Sequence, residues 1–70
     1  MTQQLEERLT HLAALMEQAV REAQQIESED ERAGRPHKRE VHKVTNFVTM
    51  AEAVVTGTLL TVRLLMVRRT

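Results

Sequence analysis

Apolar residues in the first half of the chain recur at alternating steps of four and three, the spacing of the a and d positions of a heptad. This spacing places them along one stripe of an α-helix. The stripe consists of Leu5, Leu9, Leu12, Met16, Ala19, Ala23 and Ile26. Most residues between them are strong helix formers such as glutamate, glutamine and arginine. The pattern predicts helix 1 at about residues 3–33. Its apolar stripe is narrow and suits one helical neighbour.

A corner is predicted at residues 34–36. Gly34 can adopt the left-handed conformation that often closes a helix, and Pro36 suits the first turn of the next one. Acidic residues precede this corner and basic residues follow it, so each cluster opposes the dipole of its own helix. In an antiparallel hairpin the two clusters face each other, and we expect pairing between them to help select the register.

The second half of the chain repeats the same spacing, which predicts helix 2 over residues of about 36–68. Its first apolar stripe consists of Val44, Val48, Ala51, Val55, Thr58, Val62 and Leu65. Folding the chain back at residue 35 sets these residues opposite the stripe of helix 1, for example Ile26 by Val44. The sequence therefore predicts an all-α fold, a coiled-coil-like antiparallel two-helix hairpin that forms a single unit over residues 1–70.

Helix 2 carries a second apolar stripe, most of a half-turn away from the first. A helix that is apolar on most of its circumference is normally buried, and one neighbouring helix cannot cover both stripes. Burial of each large side chain is worth ~1.5–3 kcal/mol, so a partner should cover this stripe and complete a bundle. The predicted partner-binding residues are Met50, Ala53, Gly57, Leu60, Leu64 and Val67.

The partner of this second stripe can be a different protein or a second copy of the chain. In the first case the protein is a helical binding module, such as an adaptor or a small co-chaperone. In the second case two hairpins form a homodimeric four-helix bundle with a structural or regulatory role. The mass of the protein in solution separates these two interpretations.

Composition narrows the setting. The chain has no cysteine, which excludes a disulfide scaffold, and its N-terminal segment is polar and acidic, unlike a secretory signal. We therefore expect a cytoplasmic protein. A formal net charge of zero argues against general nucleic-acid binding. The basic segment 32–43 could contact RNA or DNA, but the neighbouring acidic run would cancel its field and no aromatic residues are interleaved to stack bases.

Residues 47–67 are about as long as a membrane-spanning helix. Glu52 and Arg63 lie within this window, and a charge at the centre of a bilayer costs ~2.5–3.5 kcal/mol. A membrane-inserted helix 2 therefore stays an alternative to the protein-binding interpretation.

Few residues could carry chemistry. His11, His37 and His42 are the candidates for a general base or a metal ligand, and the five-residue spacing of His37 and His42 does not place them on one helix face. The chain has no glycine-rich phosphate loop and no carboxylate pair on an apolar face. We predict no enzymatic activity, no catalytic residue, no metal site and no cofactor.

Three features of the sequence resemble the small E-type co-chaperones of type III secretion needles. They are the Met1-Thr2-Gln3 opening that leads into Leu5-Glu6-Glu7 and Leu9, the charged corner around Ala33-Gly34-Arg35, and the apolar segment Ala51-Glu52-Ala53-Val54-Val55. Members of that family are helical hairpins that act with a tetratricopeptide-like chaperone and keep the needle subunit unpolymerised in the bacterial cytoplasm. The resemblance covers the whole chain as a pattern, and it implies that Met50, Leu60 and Leu64 contact such a partner.

Overall fold

A computed structural model describes residues 2–69 of the chain. It contains two helices, α1 (Thr2–Arg32) and α2 (Lys38–Arg69), which pack against each other along their length. No strand occurs within the described residues. The molecule measures 55 × 15 × 13 Å. The predicted all-α antiparallel hairpin is confirmed.

The corner is longer than predicted. Because α1 ends at Arg32 and α2 begins at Lys38, the connection covers residues 33–37 instead of 34–36. Gly34 and Arg35 both have left-handed backbone conformations, with φ angles of 93° and 62°. These two consecutive left-handed residues reverse the chain before it reaches Pro36. Pro36 consequently lies in the turn and not, as predicted, in the first turn of helix 2.

Backbone hydrogen bonds close the end of α1 in a Schellman motif. The Gly34 amide donates to the carbonyl of Glu31 at 3.1 Å, and the Arg35 amide donates to the carbonyl of Asp30 at 2.7 Å. The carboxylate of Asp30 also accepts a hydrogen bond from the His37 amide at 3.0 Å. Asp30 therefore ties the last turn of α1 to the connection at two points, through its backbone to Arg35 and through its side chain to His37, the residue before α2 begins.

Within the described residues, the charged clusters at the corner do not form the expected ion pairs between helices. Arg35 of the connection pairs instead with Glu31 in the last turn of α1, at 3.3 Å. Among the described residues, the ion pair that joins α1 to α2 lies at the open end of the hairpin, where Arg63 Nε is 3.4 Å from Glu6 Oε1. The register of the hairpin is thus marked by a polar contact far from the corner.

The contact line between the helices is rotated from the predicted stripes. On α1 the partly or fully buried residues of this line include Leu9, Ala13, Met16, Val20 and Ala23. On α2 they include Val41, Thr45, Val48, Glu52, Val55, Leu59, Val62 and Met66. Four of the seven residues predicted in each stripe are partly or fully buried. The prediction was wrong for Thr58, which is exposed, and for Leu5, Leu12, Ile26, Val44 and Leu65, whose exposed fractions are 41–53%.

The rotation has a physical cause in the breadth of the apolar surface. Since α2 is apolar on both sides of the contact line, hydrophobicity alone does not locate the centre of that line. Small residues at the centre, such as Ala13 and Ala23, allow the two helix axes to approach closely. The larger leucines and isoleucine then remain at the flank of the contact.

The hairpin has a very small core. Among the described residues, the buried hydrophobic side chains are Ala23, Leu59 and Val62. In the same part of the chain twelve large hydrophobic side chains are exposed, with exposed fractions from 41% to 74%. Because these exposed side chains outnumber the buried ones, the hairpin offers more apolar surface than its own two helices can cover.

Candidate protein-binding surface

The six predicted partner-binding residues form one continuous surface on α2, which we call the outer stripe. Met50, Gly57 and Leu64 are seven residues apart and point directly away from α1, since 100° per residue places them half a turn from the contact line. A parallel row lies beside them and consists of Ala53, Leu60 and Val67. The outer stripe extends about 25 Å along α2, at 1.5 Å per residue.

All six residues of the outer stripe are exposed. The exposed fractions of the four large side chains are 69% for Met50, 54% for Leu60, 64% for Leu64 and 70% for Val67. Single exposed apolar residues are ordinary on protein surfaces, whereas a contiguous apolar patch marks a site of interaction. The geometry therefore brings the predicted residues together as a patch and leaves them accessible.

Gly57 lies at the middle of the outer stripe. A Cβ atom added at this position would meet no atom within 4 Å, so nothing inside the hairpin requires a glycine there. Glycine in a helix interior is less favourable than alanine by roughly 0.5–1 kcal/mol. The bare backbone at Gly57 makes room for close approach by a chain outside the hairpin.

The threonines of α2 contribute less polar surface than their number implies. Four of them donate a hydrogen bond to the backbone carbonyl four residues earlier, at distances of 2.7–3.0 Å; these are Thr45, Thr49, Thr58 and Thr61. Because each hydroxyl is already bonded to the helix backbone, it has less need of water. These positions tolerate contact with a partner better than free hydroxyl groups would.

A second apolar surface, which the sequence analysis did not recognise, involves both helices. We call it the hairpin face. It consists of two rows of residues spaced by seven, Leu5, Leu12, Ala19 and Ile26 on α1 and Val44, Ala51, Thr58 and Leu65 on α2. Each row is turned about 75° from the contact line, in the direction that places both rows on the same side of an antiparallel pair.

The structure shows this juxtaposition directly near the corner. Ile26 and Val44 line the two sides of a shallow apolar groove whose floor includes Ala23 and Val41. Three further exposed apolar residues lie along the outer edges of the hairpin face, namely Leu15, Phe47 and Val54. The seven-residue repeat in each half was the signal in the sequence. It was interpreted as the contact between the helices, whereas it marks the surface beside that contact.

The histidines do not assemble into a chemical site. His42 Nε2 lies 3.3 Å from Asn46 Nδ2, one helical turn away on α2. Within residues 2–69 there is no group of three or more histidine, aspartate or glutamate side chains that could hold a metal ion. The arrangement of the described side chains is thus suited to apolar contact.

The length and composition of α2 also fit a membrane span. Within the described residues, Lys38–Arg68 contains an eighteen-residue window with a mean hydropathy of 1.6, of which 6% is buried. The core helix of a soluble protein can pass the same test, but such a helix is mostly buried by its own protein. The low burial of α2 shows that α1 leaves most of its apolar surface uncovered.

No protein-family model matches the chain, and no curated protein or solved structure matches it.

Proposed function

We propose that this protein is a non-enzymatic helical binding module, an adaptor or small co-chaperone that covers an apolar helix of a partner protein with its outer stripe. The observation that supports the proposal most is the exposure of all six predicted residues on one side of α2. A hairpin whose buried hydrophobic side chains are so few gains stability when another chain covers this surface.

A helix is the partner element that fits this surface best. The outer stripe is straight, about 25 Å long and lined by residues at helical spacing, which suits a second helix of roughly 17 residues packed alongside it. Its large side chains Met50, Leu60 and Leu64 would each gain ~1.5–3 kcal/mol on burial. Gly57, between them, allows the two helix axes to come close.

The resemblance to E-type co-chaperones gives the proposal a more specific form. In that form the partner is a type III secretion needle subunit, held unpolymerised in the cytoplasm together with a tetratricopeptide-like chaperone. Covering an apolar helix that would otherwise polymerise is a task that a long exposed apolar stripe can perform.

The test is a paired substitution in the outer stripe, Leu60→Asp with Leu64→Asp. The tagged chain is co-expressed with the needle subunit and the tetratricopeptide-like chaperone of the same bacterium. The measurement is whether these two proteins co-purify with it. We expect the substitutions to abolish co-purification, because two carboxylates would be buried without partners. Circular dichroism should show unchanged helicity, since both positions are exposed in the hairpin.

The matched control is Gln18→Asp with Gln25→Asp, which adds the same charge to exposed positions on the outer side of α1, away from the outer stripe. This control variant should retain the complex. If the outer-stripe variant also retains it, the partner binds elsewhere and the proposal is wrong. If the unsubstituted chain forms no complex with these two proteins, the needle-specific form of the proposal is wrong.

A membrane-inserted α2 is the second candidate function, and its length and apolar composition are the observations that favour it. Glu52 and Arg63 interrupt this segment, and Arg63 is paired with Glu6 of α1. Flotation with phosphatidylcholine and phosphatidylglycerol vesicles tests this candidate. A chain that floats with the vesicles and resists extraction by alkaline carbonate is inserted, whereas a chain that stays in the soluble fraction is not.

A further inference from the structure

We propose that the hairpin face is a self-association surface, on which two copies of this chain form an antiparallel four-helix bundle with their corners at opposite ends. This surface is separate from the outer stripe, so the inference does not depend on the function proposed above. A twofold axis crosses the bundle at the level of Leu15 and Val54. Each α1 then packs against the α1 of the second copy, and each α2 packs against the other α2.

The hairpin exposes more surface than a compact monomeric protein of the same mass. A folded monomeric protein of this mass exposes about 4,500 Å². The hairpin exposes 5913 Å², a surplus of roughly 1,400 Å². Each partner of a standard protein interface buries ~800 Å². The surplus of the whole chain therefore exceeds what one such interface buries, so a second copy on the hairpin face would account for about half of it and leave the rest for the outer stripe.

Each apolar row of the hairpin face is complementary to the same row in a second, antiparallel copy. An axis within half a residue of Leu15 sets Leu5 of one copy near Ile26 of the other, and Leu12 near Ala19. On α2 an axis within half a residue of Val54 sets Val44 near Leu65, and Ala51 near Thr58. Large side chains thus meet at the two ends, and small residues near the middle admit the larger Leu12, as close packing requires.

The register of the hairpin places both centres of symmetry at the same level. Glu6 and Arg63 are paired across the helices. Leu15 and Val54 each lie nine residues from this pair in the direction of the corner. Since both helices rise 1.5 Å per residue, Leu15 and Val54 stand at the same height. One twofold axis can consequently serve both helices.

Charge complementarity selects the antiparallel arrangement. Arg8, Leu15 and Glu22 are spaced by seven along the outer edge of the hairpin face. Rotation about the level of Leu15 brings Arg8 of each copy to Glu22 of the other, so the dimer gains this pair twice. Neither Arg8 nor Glu22 has an ion pair among the described residues. With the corners at the same end, Arg8 would instead face the neutral Thr61.

Exchange of these charges tests the arrangement. We expect sedimentation equilibrium of the full chain to give twice the 8.1 kDa mass of the monomer. Arg8→Glu and Glu22→Arg should each weaken the dimer roughly tenfold, because two attractive pairs become repulsive. The double exchange should restore the dimer. An equimolar mixture of the two single variants should also restore it, as a heterodimer.

Cysteine cross-linking provides a readout of geometry, because the natural chain contains no cysteine. Under mild oxidation, Leu15→Cys and Val54→Cys should each form a symmetric disulfide dimer, since these positions lie at the twofold axis. Leu60→Cys, on the outer stripe, is the matched control and should remain monomeric on a denaturing gel.

Three outcomes overturn the inference. They are a monomer at chain concentrations up to about 1 mM, a dimer whose affinity is unaffected by either charge exchange, and cross-linking at position 60 in place of 15 and 54. Circular dichroism on every variant excludes unfolding as the cause. The Leu60→Asp, Leu64→Asp variant should keep the dimer, so loss of partner binding and loss of self-association are separate results.

Discussion

At the scale of single residues, the two glycines of the chain show how backbone conformation decides the effect of one substitution. A Cβ atom would meet nothing within 4 Å at either position. Gly34 has a φ angle of 93°, which an L-residue rarely adopts, whereas Gly57 lies within the regular helix α2. The space for a side chain is therefore open at both glycines, and only the backbone conformation differs between them.

Gly34→Ala and Gly57→Ala should consequently change stability in opposite directions. We expect Gly34→Ala to lower the free energy of unfolding by ~1–2 kcal/mol, because alanine is strained in the left-handed region. Gly57→Ala should raise it by ~0.5–1 kcal/mol through higher helix propensity. Urea denaturation at one fixed protein concentration measures the free energy of unfolding of both variants. Effects of the same sign would contradict this account of the corner and of the helix.

At the scale of the element, α2 contains two adjacent leucines with opposite environments. Leu59 faces α1 and has an exposed fraction of 6%, while Leu60 lies on the outer stripe with 54%. We expect Leu59→Ala to destabilise the hairpin by ~2–3 kcal/mol, at the lower end for a buried leucine because the thin core can partly collapse. Leu60→Ala is the matched control and should cost well under half as much. Equal losses in thermal or urea unfolding would show that the faces of α2 are assigned wrongly.

Leu59 also shows where prediction from the sequence stopped. Helical spacing and the cap residue Gly34 were sufficient to predict two helices, their order and an antiparallel corner. The same spacing placed the outer stripe correctly on the exposed side of α2. Leu59 belonged to neither predicted stripe, because α2 is apolar on both sides of its contact line. The side of a helix that faces its neighbour can be predicted only when polar residues flank the apolar face on both sides. On α2 polar residues flank the apolar face on one side alone.

At the scale of the whole molecule, the hairpin is unusually extended for its length. Its radius of gyration is 16.0 Å, against about 11 Å for a compact domain of 70 residues. Few residues are therefore far from solvent, and a chain that packs against the outside would add stability to the folded hairpin. If that chain is a second copy, the stability will vary with protein concentration.

The thermal midpoint of the natural chain should rise with protein concentration, because self-association stabilises the folded state by mass action. A tenfold increase in concentration should add up to ~1.4 kcal/mol per mole of dimer. Leu12→Asp places a charge on the hairpin face and should remove this dependence while leaving a folded hairpin at low temperature. A midpoint that is constant over a hundredfold range of concentration would argue against self-association.

The small core has a further consequence inside a cell. A chain whose buried hydrophobic side chains among the described residues are Ala23, Leu59 and Val62 opens often when nothing covers it, and proteases cleave the open form. Copies covered by another chain should resist proteolysis, and surplus copies should be degraded. The cellular amount of this protein should therefore follow the amount of the chains that cover it. Degradation of uncovered copies would then remove any excess without a dedicated regulator.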